Sequence, residues 1–247
     1  MNPERVKPYQ AVAEIYAYLM RFINYDEWAE YYFSLTRNYI PSSASVLELA
    51  SGNCKLSTAL MSYYRNIVAS DLSSEMLKKS EAYNIKRVCC NMEMLPFKNK
   101  FDLVISAFDS INYLLTKKSI NNTFREVHNL LSENGVFSFD VSLENNSLRN
   151  LRHLNRKGTY KGILYIQKSD YNRVNKIHTN TFTLEFEDGT TYAETHRQKI
   201  FPFEVYFDLL TRNGFVVKEC LAAFSFDDAD HNSERVQFLA IKNNNYA

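Results

Sequence analysis

The sequence predicts an α/β fold: a mostly parallel seven-stranded sheet with helices on both faces, plus a small antiparallel β insertion. Three observations predict it. Between residues 45 and 141, short apolar runs of strand length alternate with helical stretches, as they do when each strand crosses to the next through a helix. After Val141 the pattern changes to period-two segments, which suit antiparallel strands buried on one face. Two more apolar runs near the C-terminus complete the large sheet.

From Tyr9 to about Tyr39, apolar and aromatic residues recur at helical spacing: Val12, Ile15, Tyr16, Leu19 and Met20, then Trp28, Tyr31, Tyr32 and Leu35. This predicts two amphipathic helices meeting near Asn24-Tyr25-Asp26, ended by Pro41-Ser42-Ser43. Ser45 to Ala50 reads as a buried strand, Ser51-Gly52-Asn53 as a tight turn and Lys55 to Tyr64 as a helix. Asn66 to Asp71 is the next strand. Ser73 can cap a helix whose first turn carries Glu75, an acid at the favourable end of the helix dipole. Ile85 to Cys90 and Phe101 to Ser106 read as strands, about Ser119 to Leu131 as a helix, and Gly135 to Val141 as a strand.

In the insertion, Gly162 to Ile166 and Thr181 to Phe186 alternate strand-fashion, with Asp188-Gly189 as a hairpin turn. A helix from about Pro202 to Arg212 stops at Asn213-Gly214. Phe215 to Phe226 and Arg235 to Lys242 are strands joined by the acidic loop Asp227-Asp228-Ala229-Asp230, which is expected to be solvated. The expected division is 1–141 with 201–247 as a nucleotide-binding domain, and 142–200 as a β-rich lid over the substrate.

Composition narrows the function classes. The 247 residues are 45% hydrophobic and 23% charged, enough for a full α/β core. A net charge of +1 gives no broad basic field for a phosphate backbone, so nucleic acid is not an expected partner. No apolar stretch approaches the roughly 20 residues that span a bilayer, and Met1-Asn2-Pro3-Glu4-Arg5 opens no signal peptide. A cytoplasmic protein away from membranes is therefore expected. Cys54, Cys89, Cys90 and Cys220 match neither a CxxC metal pattern nor a disulfide framework, so no metal site is expected. A homodimer is admitted but not selected.

Ligands of parallel α/β sheets bind beyond the carboxyl ends of the strands, where strand order reverses. A glycine there lets the backbone approach the ligand, and an acid ending the second strand can accept from ribose hydroxyls. Gly52 and Asp71, roughly twenty residues apart, have that spacing. A helix-capping role for Asp71 stands beside the ribose role on spacing alone. An NAD-dependent oxidoreductase would need GxGxxG, and this loop has only Gly52.

Taken together, the motifs resemble those of the class I S-adenosylmethionine (SAM) dependent methyltransferases, which are Rossmann-like. Val46-Leu47-Glu48-Leu49-Ala50-Ser51-Gly52-Asn53-Cys54 resembles the family's first motif, and Ala69-Ser70-Asp71-Leu72-Ser73-Ser74-Glu75-Met76-Leu77 its second-strand motif. Asn91 to Phe97 resembles the segment flanking the adenine. Phe101 to Ser106, with Phe108-Asp109-Ser110-Ile111-Asn112-Tyr113-Leu114, resembles the fourth strand and the loop beside the transferred methyl. The likeness covers essentially residues 9 to 141.

The resemblance implies SAM as cofactor, S-adenosylhomocysteine as its product, and methyl transfer to nitrogen or oxygen of a small-molecule acceptor. Glu48 would sit near the methionine ammonium, and the backbone of Ala50 and Gly52 would pass beside the cofactor. Asp71 would take the ribose hydroxyls, Leu72 and Met76 would flank the adenine with apolar surface, and Phe108 would be a further cofactor-binding residue. Asn91, where the family usually has an aspartate, would accept from the adenine amino group, and Met92 would supply a backbone amide. Ala50 and Cys54 stand where glycines are usual; both are small. A binding module that has lost turnover and senses a nucleotide or partner is the competing function.

An in-line methyl transfer asks the protein mainly to align the reactants and exclude water. Tyrosine faces attract a sulfonium, which makes Tyr16 and Tyr113 candidates, with plain core packing as the alternative for each. His196 is the candidate base, because related small-molecule methyltransferases have a histidine where the insertion returns to the following helix; a structural role stands beside that one too.

Overall fold

The computed structural model describes residues 2–243. In chain order its strands and α-helices are β1 (Glu4–Arg5), α1 (Tyr16–Leu19), α2 (Tyr25–Thr36), β2 (Ser45–Leu49), α3 (Lys55–Leu60), β3 (Asn66–Asp71), α4 (Ser74–Lys78), β4 (Lys86–Cys89), β5 (Phe101–Ser106) and α5 (Lys117–Leu130). Then follow β6 (Leu131–Ser142), α6 (Glu144–His153), β7 (Arg156–Tyr160), β8 (Ile163–Asn172), β9 (Ile177–Glu185), β10 (Thr191–Lys199), α7 (Glu204–Arg212), β11 (Phe215–Ala222) and β12 (Arg235–Lys242).

Seven strands form one sheet in the order β11-β12-β6-β5-β2-β3-β4. β4, β3, β2, β5 and β6 run parallel, and β12 enters antiparallel beside β6. The sheet is buried on both faces because alternate residues of single strands feed different cores. Leu47, Leu49, Val104, Phe137 and Phe139 pack on one side with Phe124 and Tyr206. Val46, Leu103, Ile105 and Val136 pack on the other with Trp28, Tyr32 and Leu56. Burying a side chain such as Phe124 stabilises the fold by about 1.5–3 kcal/mol before entropy is counted.

Local capping explains several helix starts. The Asn24 side chain accepts from the amides of Asp26 and Glu27 to open α2, Ser73 accepts from Met76 to open α4, and Thr116 accepts from Ser119 to open α5.

The second sheet has the order β1-β10-β9-β8-β7, antiparallel except that β1 runs parallel to β10. It is larger than the sequence pattern predicts. β10 and β7 join the two alternating segments, and α6 precedes them. The N-terminus also belongs to it, since Glu4 and Arg5 pair with Tyr192 and Ala193.

The N-terminal region departs from the two predicted helices. In place of a long first helix there is a 3-10 turn, Val12–Glu14, and the single turn α1. Their apolar residues Ala11, Val12, Ile15 and Leu19 still share one face, packed on Ile163, Tyr165, Phe182 and Leu184 of the second sheet. The strand predicted over Phe215 to Phe226 ends at Ala222, and Phe224 takes a left-handed conformation at φ 64°. Among the described residues, no helix is long and apolar enough to cross a membrane, and no group of three or more His, Cys, Asp or Glu could hold a metal ion.

Candidate active site

Strand order reverses at β2, with β3 on one side and β5 on the other, and a cleft of about 920 Å³ opens at the carboxyl ends of these strands. The turn leaving β2 uses left-handed backbone three times, at Ala50 (φ 51°), Gly52 (φ 55°) and Cys54 (φ 61°). Only glycine adopts this conformation freely; for L-residues it costs roughly 1–2 kcal/mol each. The loop thus keeps its course with two non-glycine residues, both small. A Cβ added at Gly52 would come within 3.0 Å of Met76 Cε, tighter than ordinary contact, so glycine lets the turn lie against Met76 and Tyr16 without crowding them.

Asp71 ends β3 at this turn. One carboxylate oxygen accepts the Gly52 amide at 2.7 Å, and the other accepts the Ser73 amide at 2.7 Å. Each oxygen keeps a lone pair for a further donor. Burial raises the Asp71 pKa, opposed by the amides of Ser73, Gly52 and Leu72.

Glu48 lies at the floor of the cleft, buried, with the Ser57 hydroxyl donating to it. Burial, opposed by the Ser57 hydrogen bond, pushes its carboxyl up to about 8. Among the described residues no Lys, Arg or His stands within ion-pair distance of it, although a buried carboxyl of this kind is ordinarily paired. The site therefore suits an incoming cation.

The loop after β5 closes the opposite wall. Phe108 (φ 58°) and Asp109 (φ 50°) are both left-handed, and ion pairs from the main sheet hold them in place. Asp140 of β6 accepts the Asp109 amide at 2.8 Å, Arg235 of β12 bridges Asp140 and Asp109, and Gln198 of β10 donates to Asp109 at 2.8 Å. The loop carrying Phe108 and Tyr113 is thereby tied to both sheets.

Three tyrosines meet in the cleft. The rings of Tyr9 and Tyr16 pack edge to face at 5.8 Å, and the hydroxyls of Tyr9 and Tyr113 are 2.7 Å apart. Burial raises the pKa of all three. Tyr9 is left-handed (φ 62°), a conformation worth roughly 1–3 kcal/mol of strain, so the surroundings must impose it. Its amide donates to Glu194 at 2.7 Å, and its carbonyl accepts from the Ser73 hydroxyl at 3.1 Å.

Of the residues singled out by sequence, Tyr16, Tyr113, Glu48, Ala50, Gly52, Asp71, Leu72, Met76, Asn91, Met92 and Phe108 all line this cleft. His196, the candidate base, is not among the lining residues and reaches the cleft only through Tyr113. It is 2% exposed on β10, with Nδ1 3.2 Å from the Tyr113 hydroxyl and Nε2 3.1 Å from Glu194. Tyr113 and Tyr9 stand between it and the ligand space. Asn91 is partly committed, since its side-chain oxygen accepts the Glu93 amide at 2.9 Å.

Sequence reasoning missed Tyr9, Tyr25, Phe186 and Tyr192 on the cleft wall, and Glu194 behind it. The spacing of Glu194 and His196, two apart on an alternating strand, does carry a signal, because it places both on one face. Tyr9 has no such signal; its position depends on contacts with Glu194 and Ser73, far away in sequence.

Residues 46–135 match a family model described as a methyltransferase domain. The chain is 30% identical over 247 residues to YqeM of Bacillus subtilis (strain 168), a protein named as a methyltransferase, covering 95% of this chain and 97% of that one. Its structure is similar to that of a SAM-dependent methyltransferase from Clostridium acetobutylicum ATCC 824, with a TM-score of 0.78 at 23% identity over 95% of this chain and 99% of that chain. It also resembles the sugar N-methyltransferase KedS8 from Streptoalloteichus sp ATCC 53650, with a TM-score of 0.74 at 17% identity over 92% and 91% of the two chains.

Proposed function

Because the chain belongs to the class I SAM-dependent methyltransferases, we propose that it methylates a nitrogen or oxygen atom of a small-molecule acceptor at the tyrosine-lined end of the cleft. One observation carries the acceptor class. A cleft of about 920 Å³ runs between the Rossmann-like sheet and the second sheet, with Phe186 and Tyr192 from the second-sheet region in its wall. That is near the upper end of the roughly 300–1,000 Å³ usual for small-ligand pockets, enough for a cofactor and a compact acceptor. The KedS8 likeness supports the same class.

The residues present fit the cofactor. Asp71 would accept the ribose hydroxyls on its remaining lone pairs. Glu48 would receive the methionine ammonium, directly or through water. The backbone of Ala50 and Gly52 would pass beside the cofactor, and Leu72, Met76, Met92 and Asn91 would surround the adenine. When bound, SAM supplies a sulfonium methyl: the methyl–sulfur bond breaks as the bond to the acceptor forms, and sulfur keeps the electron pair.

The chain's own contribution is placement and water exclusion. Tyr9, Tyr16 and Tyr113 present ring faces and hydroxyls where a cationic centre is favoured. Residues 142–200 act as the lid, with the second sheet holding the N-terminal segment over the cleft. The test is transfer from methyl-tritiated SAM into panels of small amines and alcohols, run beside protein and RNA acceptors. Label in a small organic product supports the proposal; label confined to macromolecules refutes the acceptor class.

A further inference from the structure

Behind the tyrosines runs a hydrogen-bond chain whose direction follows from the chemistry of its members. Glu194 is fully buried on β10, and among the described residues no Lys or Arg lies within ion-pair distance of it. One of its oxygens accepts the amides of Ala11 and Val12, and the other accepts that of Tyr9. A carboxylate accepts and does not donate, so His196 Nε2, 3.1 Å away, carries the hydrogen between them. In a neutral imidazole Nδ1 is then the acceptor, and Tyr113 donates to it across 3.2 Å. With its one hydrogen used, Tyr113 can only accept from Tyr9 across 2.7 Å. The chain ends at the Tyr9 oxygen, in a residue lining the cleft, with lone pairs free to accept.

We infer that Glu194 is a positioning residue that fixes the His196 tautomer and thereby makes Tyr9 Oη the group that takes the acceptor's proton. The inference rests on the proposed transfer to a nitrogen or oxygen acceptor. As the bond to the methyl forms, the acceptor's N–H or O–H proton passes to Tyr9 Oη. The Tyr9 proton passes to Tyr113 Oη, and the Tyr113 proton to His196 Nδ1. The resulting imidazolium lies against the Glu194 carboxylate, so the positive charge lost from sulfur ends on a paired histidine. Burial keeps the Tyr9 and Tyr113 hydroxyls well above the ordinary phenol range, so the hydrogens shift together and no free phenolate forms. A plain packing role for Glu194, holding the N-terminal segment down, would leave the histidine tautomer unspecified.

The test is 15N NMR of histidine-labelled protein with saturating S-adenosylhomocysteine at mildly alkaline pH. The His196 signals are assigned by their loss in His196→Gln. The expected result is a neutral ring with its hydrogen on Nε2, unchanged in Tyr9→Phe. In Glu194→Gln the carboxamide can present an N–H to the ring, and the hydrogen moves to Nδ1. A wild-type ring with its hydrogen on Nδ1, or protonated on both nitrogens, overturns the inference, as does a folded Glu194→Gln with the tautomer unchanged. The wild-type spectrum decides alone if Glu194→Gln does not fold. Calorimetry on the same samples separates the two readings: absence of S-adenosylhomocysteine binding removes the methyltransferase site and the relay together, whereas binding with the wrong tautomer removes the relay only.

Discussion

The Ser57 hydroxyl donates to the Glu48 carboxyl at the floor of the cleft, and no basic side chain among the described residues stands beside the pair. A carboxyl pushed up to about 8 holds its proton at neutral pH in the free protein. An arriving ammonium favours the ionised form, so binding must release that proton.

Affinity for S-adenosylhomocysteine is therefore expected to rise as pH increases toward about 8, and binding enthalpy should vary with the ionisation enthalpy of the buffer. Glu48→Gln should bind more weakly and lose most of the buffer dependence. Equal buffer dependence in both proteins would assign the released proton elsewhere.

The same carboxyl affects stability. Folded Glu48 retains its proton up to about 8, whereas an unfolded glutamate loses it at its ordinary value near 4.5. Its contribution is fully present below the lower value and is lost as pH rises through the upper one. Between about pH 5 and pH 8 the melting temperature of free wild-type protein should fall more steeply than that of Glu48→Gln, and above that window the two should run parallel. Parallel melting curves across that window would contradict this.

Asp71→Asn keeps an acceptor for one backbone amide but removes the charge. Hydrogen bonds to a charged group are worth about 1.5–3 kcal/mol, so S-adenosylhomocysteine binding should weaken by about ten- to a hundredfold. Calorimetry checks the affinity, and a melting curve checks that the fold persists.

Much of this site is legible in the sequence because it is local. Gly52 lies in the turn leaving one parallel strand and Asp71 ends the next, and short apolar runs identify those strands. The left-handed course at Ala50 and Cys54 is illegible, since neither residue announces it and only the turn geometry imposes it. The predicted first helix fails for a similar reason. Ala11 offers no side-chain cap, and the amides of Ala11 and Val12 are instead taken by Glu194, 182 residues beyond Val12. Helical spacing located the buried Val12, Ile15 and Leu19, with Tyr16 and Met20 half-buried beside them, but not how the backbone between them runs.

Ala50→Gly should relieve the left-handed strain at φ 51°, offset in part by the added freedom of glycine in the unfolded chain. A net gain of about 0.5–1 kcal/mol corresponds to a rise of roughly 1–4 °C in melting temperature. Cys54→Gly should show no such gain, because the Cys54 side chain is fully buried against Leu77 and Ile85. Differential scanning calorimetry distinguishes the two; a destabilised Ala50→Gly would contradict the strain argument.

Arg235 bridges Asp109 to the fully buried Asp140. Arg235→Met leaves Asp140 without its cation and should destabilise the fold by about 3–5 kcal/mol. Adding Asp140→Asn should restore part of that loss, as measured by denaturant titration. If the double variant is no more stable than Arg235→Met, the buried charge is not what the arginine neutralises.

A crystal structure with S-adenosylhomocysteine would show whether cofactor and acceptor meet at the tyrosine cluster. The expected complex has the ribose hydroxyls on Asp71, the ammonium beside Glu48, and the sulfur facing the space among Tyr9, Tyr16 and Tyr113. A ligand with its ribose away from Asp71, or its sulfur turned from the tyrosines, would contradict it.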